Sequence, residues 1–229
     1  ALCTSADSQL LFSGSDDCTL RIWSIMDRAC LWTLSGHPAQ VSAITISPPN
    51  SRALHVHHVY SAGGSEANDK LDAAERDNRI RKWAMPSHPS EDRGRFASRL
   101  RKPECLLDEA PFRGHDMWVR ALCLTPDGGF LFSCSNDGTI IKFDARNGAA
   151  LLTMRGHGEF DDAVPSSGLW SADAPPSAQA TDPRFKWVRG LALAGEELFS
   201  VSNDWTLRSW HAGSGKPLFR YEAHENKVA

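Results

Sequence analysis

The sequence predicts an all-β protein in which a small sheet is repeated four times along the chain. A Ser, an Asp and an aromatic residue recur at nearly fixed spacing, and a His follows each aromatic residue. Short runs rich in Val, Ile, Leu, Phe and Thr alternate with turn pairs such as Asp137-Gly138 and Asn147-Gly148. No segment has the long apolar stripe of an amphipathic helix. Short strands at even spacing are typical of sheets that stack radially, because one such sheet cannot bury both of its faces alone.

The spacing of the polar and aromatic residues is the same in all four units once the insertions in the second unit are removed. The aromatic residue stands six positions after the aspartate, in the pairs Asp17 and Trp23, Asp77 and Trp83, Asp137 and Phe143, and Asp204 and Trp210. A serine stands four positions before the aspartate, as Ser13, Ser133 and Ser200, and as Ser61 once an insertion is removed. The histidines that follow are His37, His115, His157 and His224. This self-similarity is the signature of a repeat architecture.

Units such as LFSCSNDGTIIKFDARNGAALLTMRGH resemble the WD40 repeats of β-propellers, and the resemblance covers the whole chain. The Trp-Asp pair of the family is degraded here to Trp23-Ser24, Trp83-Ala84, Phe143-Asp144 and Trp210-His211. The resemblance implies a WD40-type β-propeller with four recognisable blades, at approximately 1-37, 38-115, 116-157 and 158-229. Three loop insertions interrupt these blades, at 65-76, 85-103 and 159-185.

Both ends of the chain fall at the same phase of the repeat. Ala1-Leu2-Cys3 aligns with Ala121-Leu122-Cys123, and Val228-Ala229 aligns with Val119-Arg120. Either the four blades close into a ring, or they belong to a larger ring. Because rings of this family usually have about seven blades, we expect part of a larger propeller.

The recurring His, Ser and Asp could be interpreted as a hydrolase triad. A catalytic triad is needed only once, however, whereas this set occurs four times. The resemblance implies instead a buried hydrogen-bonded network in each blade. The expected structural sets are His37, Ser61, Asp77 and Trp83; His115, Ser133, Asp137 and Phe143; and His157, Ser200, Asp204 and Trp210. A fourth, incomplete set comprises Ser13, Asp17 and Trp23, for which His224 is a candidate partner. We therefore expect no catalytic residues and no enzymatic activity.

Composition and charge limit the classes of partner, the cofactors and the cellular compartment that we expect for this chain. The formal net charge is −3, with a pI near 6.3, which gives no general attraction to nucleic acid or to an anionic membrane. We expect no cofactor and no metal, because His55, His57 and His58 lack further ligands at metal-site spacing. The six cysteines form no CxxC pair, which favours a reducing compartment, cytoplasmic or nuclear.

The candidate partner-binding residues are the ones that lead into each innermost strand. These residues are Gln40, Trp118 and Lys227, three positions after a histidine, and Trp187 in the matching place before Val188. Exposed Trp is enriched at interaction hot spots. The alternative is that both tryptophans merely cover the core. The predicted function is a non-catalytic protein–protein interaction scaffold that binds partner proteins or peptides, and no small-molecule substrate, through its top-face loops.

Two other functions remain open from the sequence. The repeats beginning VRALCLT and VRGLALA resemble propellers of ubiquitin-ligase pathway proteins, which would select substrates or bind ubiquitin. The second of these functions is that of a serine hydrolase, which would use one His–Ser–Asp set for catalysis. The basic segment 93-102 could contact a phosphorylated or nucleic-acid partner, although a solvated loop is the favoured interpretation.

Overall fold

The computed structural model describes residues 1–48, 58–64, 78–85, 104–105, 112–158 and 184–222. Within these ranges the chain forms sixteen β-strands, which pair antiparallel into four four-stranded sheets. Strands that follow each other in the chain are neighbours in the sheet, so each sheet is a simple meander. The prediction of an all-β, propeller-type fold is confirmed.

The strand bounds show how regularly the sheet is repeated. The first sheet contains β1 Leu2–Thr4, β2 Leu10–Gly14, β3 Leu20–Ser24 and β4 Ala29–Leu34. The second contains β5 Val41–Ile46, β6 His58–Gly63, β7 Ile80–Ala84 and β8 Glu104–Cys105. The third contains β9 Val119–Leu124, β10 Phe130–Ser135, β11 Ile140–Asp144 and β12 Ala150–Met154. The fourth contains β13 Val188–Ala194, β14 Glu197–Ser202, β15 Thr206–His211 and β16 Pro217–Glu222.

The sheets stand side by side with their first strands innermost. β1 packs against β5, β5 against β9, and β9 against β13. Each second strand also contacts the innermost strand of the following sheet, as β2 does with β5. This is the arrangement of consecutive propeller blades. In the described ranges, no packing of this extent joins β13 to β1, so the four sheets form an open row.

The hydrophobic core lies between the sheets. Between the first and second sheets the buried residues are Phe12, Leu20, Ile22 and Leu34 on one side and Val59, Trp83 and Met85 on the other. Between the second and third they include Tyr60 and Ile80, facing Val119, Leu131, Phe143 and Ala145. Between the third and fourth they include Phe132, Ile140 and Met154, facing Val188, Leu198, Trp210 and Ala212. Equivalent positions recur at each boundary, so neighbouring sheets bury the faces that one sheet could not bury alone.

Two of these boundaries also contain buried hydrogen bonds from lysine. Lys82 Nζ and Tyr60 Oη donate to the carbonyl of Ala145, at 2.8 and 3.0 Å. Lys142 Nζ donates to the carbonyl of Ala212 at 3.0 Å. Burial lowers the pKa of both lysines and raises the pKa of Tyr60. Each contact satisfies a carbonyl that the next sheet would otherwise leave without a partner.

Several sequence predictions fall outside the described residues. The insertions 65-76, 85-103 and 159-185 do so, apart from Met85, Arg184 and Phe185. The blade boundaries, which depend on these segments, stay predictions. In the described part of the chain, no helix is long and apolar enough to cross a membrane.

Candidate functional site

The most complete polar network lies in the fourth sheet. The ionised carboxylate of Asp204 only accepts, so His157 donates Nδ1–H to its Oδ2 at 2.9 Å. The other ring nitrogen, Nε2, lies 2.7 Å from Ser200 Oγ, and Trp210 donates its indole N–H to the same hydroxyl at 2.8 Å. The backbone N–H of Gly158 also donates to Asp204 Oδ2, at 2.8 Å. All four predicted members of this set are therefore in contact, and all four side chains are buried.

The other sets are brought together in part. In the third sheet His115 contacts Asp137 at 2.9 Å and Ser133 at 2.7 Å, and Phe143 supplies no N–H, as expected. In the second sheet Ser61 Oγ lies 2.7 Å from His37 Nε2 and 2.8 Å from Trp83 Nε1, while Asp77 lies outside the described residues. In the first sheet Trp23 donates to Ser13 at 2.8 Å. Asp17 there is exposed and contacts Thr19 and Arg21, and His224 lies outside the described residues.

Sequence reasoning missed the threonine that stands two positions after the turn aspartate in three of the four units. Thr206 donates both its backbone N–H and its hydroxyl to Asp204 Oδ1, at 3.0 and 2.8 Å. Thr139 does the same to Asp137 Oδ1, at 2.7 and 2.6 Å. One carboxylate oxygen therefore closes the turn, while the other holds the histidine. The signal was available, because Thr stands at this position in the first, third and fourth units.

The network has a measurable consequence at low pH. Burial disfavours the ionised form of Asp204, but His157, Gly158 and Thr206 outweigh burial and hold its pKa below the ordinary value of 3.8. A carboxyl whose pKa is lower in the folded than in the unfolded state stabilises the fold above the unfolded pKa. That contribution is lost as pH falls through the folded pKa.

We therefore expect the free energy of unfolding to decrease steadily as pH falls from about 5 to about 2. The variant Asp204→Asn should lose part of this dependence, because its side chain does not titrate. Urea unfolding at a series of pH values measures both slopes. Equal slopes for the two proteins would show that Asp204 has the same pKa in both states.

The network also has the outline of a hydrolase triad. Asp204, His157 and Ser200 are connected in the order that a nucleophilic serine requires. However, Ser200 is buried and its Oγ already accepts a hydrogen bond from Trp210. A substrate carbonyl has no approach to this hydroxyl in the folded protein. The geometry indicates a structural role, in which these side chains connect the turn at Asp204 to His157 and to the buried Trp210.

The candidate binding residues lie together on one rim of the sheet row. The backbone N–H groups of Gly64, Asn136 and Asn203 donate to the carbonyls of Gln40, Trp118 and Trp187, respectively, at 3.3, 3.0 and 3.0 Å. These bonds join the turn after each second strand to the residue that leads into the innermost strand. We call this edge, formed by residues 40–42, 64, 118–120, 136, 187–189 and 203, the upper rim. Lys227, the fourth candidate, lies outside the described residues.

Trp118 and Trp187 meet at the upper rim around an arginine that sequence reasoning missed. The guanidinium carbon of Arg120 lies 3.8 Å from the centre of the Trp118 ring and 5.7 Å from that of Trp187. Arg120 Nε donates to Asn136 Oδ1 at 2.8 Å, and Trp118 Nε1 donates to Ser42 Oγ at 2.8 Å. The available signal was the tripeptide Trp-Val-Arg, which occurs at both 118–120 and 187–189.

The Trp118–Arg120–Trp187 group, together with its hydrogen-bond partner Ser42, connects three sheets. Ser42 belongs to the second sheet, Trp118 and Arg120 to the third, and Trp187 to the fourth. Both indoles are half-buried, so part of each ring remains open to solvent while the rest is fixed by packing. Gln40 is also half-buried on the same rim, next to the second sheet. The group therefore forms an aromatic and cationic surface whose side chains are fixed by hydrogen bonds and packing.

The described residues give no indication of a metal site. No cluster of three or more His, Cys, Asp or Glu side chains suited to a metal ion occurs in them. His58 lies in β6, whereas His55, His57 and the basic segment 93-102 are outside the described ranges.

Comparison with known proteins identifies the repeat. The family profile described as "WD domain, G-beta repeat" matches residues 1–24 and 106–144. "Nuclear distribution protein PAC1" of Arthroderma otae is 28% identical over 261 residues, which cover 96% of this chain and 50% of that protein. "Nuclear distribution protein nudF" of Aspergillus niger is 27% identical over 178 residues, covering 75% of this chain and 35% of that protein.

Among solved structures, that of the computationally designed Ika8 protein has the same fold. Its TM-score is 0.59 at 19% identity, and the match covers all of this chain and 50% of the designed chain. The chain spans about half the length of the curated relatives that it matches.

Proposed function

Because this chain belongs to the WD40-repeat family, we propose that it is a non-catalytic platform that binds other proteins or peptides through its upper rim. The observation that carries the proposal is the Trp118–Arg120–Trp187 group. Trp and Arg are the residue types most enriched at the centres of protein interfaces.

The group is suited to binding because it is held in place before a partner arrives. Asn136 fixes the Arg120 guanidinium, and Ser42 fixes the Trp118 indole. Side chains that are already ordered lose little conformational entropy on binding, so more of the contact energy appears as affinity. The two half-buried indoles offer flat apolar surface, and the arginine between them adds a positive charge.

The networks below the rim support the same proposal. Asp137 and Asp204 close the turns that carry Asn136 and Asn203, and these turns hold the backbone of Trp118 and Trp187. A stiff set of sheets that presents loops and turns is a common basis for recognition. The polar sets would then stabilise the platform, and the rim residues would contact the partner.

The relatives are named nuclear distribution proteins. We propose that the partners of this chain act in the same process and that the chain works in the cytoplasm. The similarity to these proteins, at 28% and 27% identity, supports this part of the proposal.

The test is the double variant Trp118→Ala, Trp187→Ala, compared with the wild-type chain. Proteins captured from an extract by the immobilised chain are identified, and the affinity of each purified partner is then measured by calorimetry. We expect the double variant to bind at least about tenfold more weakly, because two hot-spot side chains are removed. Its melting temperature should change little, since both indoles are only half-buried.

Trp32→Ala is the matched control, because Trp32 is a half-buried tryptophan in the outermost strand of the first sheet. This variant should bind partners like the wild-type protein. Equal binding by the double variant and the control would refute a role for the upper rim. Unfolding of the double variant would show that these tryptophans belong to the core.

A further inference from the structure

The boundary between the third and fourth sheets differs from the preceding boundary at one position of the upper rim. Ser42 and Arg120 are equivalent, because each stands two positions after the residue that leads into the innermost strand. At the earlier boundary Ser42 Oγ accepts the indole N–H of Trp118 at 2.8 Å and donates to the carbonyl of Val119 at 2.6 Å. One hydroxyl therefore satisfies both groups of the following sheet.

Arg120 cannot act in this way, because a guanidinium has donors and no acceptor. Trp187 occupies the place of Trp118 in the fourth sheet, and its ring centre lies 5.7 Å from the Arg120 guanidinium carbon. Among the described residues, no acceptor forms a hydrogen bond with the indole N–H of Trp187. The arginine at this position therefore leaves the indole N–H available to a partner.

A second donor at the same boundary also lacks an acceptor. Asn136 is fully buried, and its Oδ1 accepts from Arg120 Nε at 2.8 Å. This bond fixes the orientation of the amide, because the opposite orientation would direct two donors at each other. Within the part of the chain that the structure describes, Asn136 Nδ2 has no hydrogen-bond partner. An unpaired amide donor in a buried position is unfavourable, so an acceptor that reaches it gains stability.

Two side chains give this boundary its positive charge. Arg120 lies between the two indoles, and Lys186 lies against the turn that follows β10. The stem of Lys186 packs so closely on Gly138 that a Cβ at Gly138 would lie 2.9 Å from Lys186 Cδ. This contact places an exposed ammonium group on the turn that also contains Asn136.

The turn aspartates of the third and fourth sheets already have partners. Asp137 accepts from His115 and from Thr139. Asp204 accepts from His157 and from its own turn. Both carboxylates therefore belong to the networks below the rim. Because the boundary combines positive charge with hydrogen-bond donors, a complementary ligand supplies negative charge and acceptors.

We propose that this boundary binds an aspartate or glutamate side chain of a partner peptide, whose carboxylate pairs with the Arg120 guanidinium and accepts the indole N–H of Trp187. An apolar residue beside that acid lies on the two indoles. The proposal rests on the function proposed above and specifies the ligand of the upper rim. A planar guanidinium matches the two oxygens of a carboxylate, and its single charge balances a single carboxylate. A phosphate carries a charge of about −2 and is the less suitable anion.

The test uses a phage-displayed library of short random peptides, selected on the whole chain. We expect the selected peptides to share an aspartate or glutamate beside an apolar residue. One such peptide and the same peptide with the acid replaced by its amide are then compared by fluorescence anisotropy. The wild-type chain should bind the acidic peptide at least about tenfold more tightly, because the amide cannot form a charge-assisted pair with Arg120.

Arg120→Ser gives this boundary the serine of the earlier one, which removes the charge and offers Trp187 an acceptor within the chain. This variant should bind the acidic peptide and its amide form equally. Lys186→Gln changes only an exposed side chain and should reduce the preference for the acid severalfold. Arg146→Ser is the matched control, because Arg146 is an exposed arginine in the turn between β11 and β12, at the opposite rim. The control should keep the full preference.

Equal binding of the acidic and amide peptides by the wild-type chain would overturn the carboxylate as the ligand. Tighter binding of the same peptide with phosphoserine at the acidic position would do so too, as would an unchanged preference in Arg120→Ser. If such peptides still required Trp118 and Trp187, the platform function would stand without this inference. Peptides that bind the double variant Trp118→Ala, Trp187→Ala as tightly as the wild-type chain would overturn both.

Discussion

Replacing Trp210 by alanine is expected to reduce the free energy of unfolding by about 3–5 kcal/mol. Trp210 is 1% exposed and packs at the boundary of the third and fourth sheets, beside Leu198 and Ala212. Its removal leaves a cavity there and also deprives Ser200 of a hydrogen bond. Urea unfolding followed by circular dichroism measures the loss.

Trp210→Phe separates the two contributions. Phenylalanine fills most of the space but cannot donate to Ser200, and the third sheet already has a buried phenylalanine, Phe143, at this position of the repeat. We expect this variant to lose only about 1–2 kcal/mol. A loss as large as that of Trp210→Ala would mean that the hydrogen bond rather than packing dominates. A loss near zero in both variants would contradict the placement of Trp210 in the core.

Replacing Asp204 by alanine is expected to destabilise the protein by about 3 kcal/mol. Four donors lose their acceptor at once, namely the ring of His157, the backbone N–H of Gly158, and the backbone N–H and hydroxyl of Thr206. Most of these groups are buried, so water cannot replace the carboxylate without opening the structure.

Asp17→Ala is the matched control, because it removes the same residue from the same position of the repeat. Asp17 is exposed, and within the described part of the chain its carboxylate contacts local groups, on Thr19 and Arg21. We expect this variant to unfold at nearly the wild-type urea concentration. If both variants lost the same stability, the effect would come from the turn alone and not from the buried histidine.

The polar sets could be predicted from the sequence because their spacing repeats. Four occurrences of Ser, Asp and an aromatic residue are too regular for a catalytic group and typical of a structural one. The exposure of Asp17 could not be predicted, because the spacing is identical to that of Asp204. The exposure of this aspartate depends on whether a histidine from a neighbouring segment contacts the turn. Among the described residues, no histidine does so in the first sheet.

The Arg120 stacking at the upper rim is the other feature that sequence reasoning missed. Arg120 stands two positions after Trp118, and alternate residues of a strand share one face, so the sequence allows this contact but does not show that the two side chains stack. The contact also depends on the distance between the third and fourth sheets, which brings Trp187 within 5.7 Å. Spacing along the chain predicts contacts within a repeat better than contacts between repeats.

The claim on which the account depends is that the recurring residues act as one buried unit. A double-mutant cycle on His157 and Asp204 measures this directly, by comparing both single alanine variants with the double variant. We expect a coupling energy of about 1.5–3 kcal/mol, with the double variant hardly less stable than Asp204→Ala. Losses that simply add, with no coupling, would contradict the account.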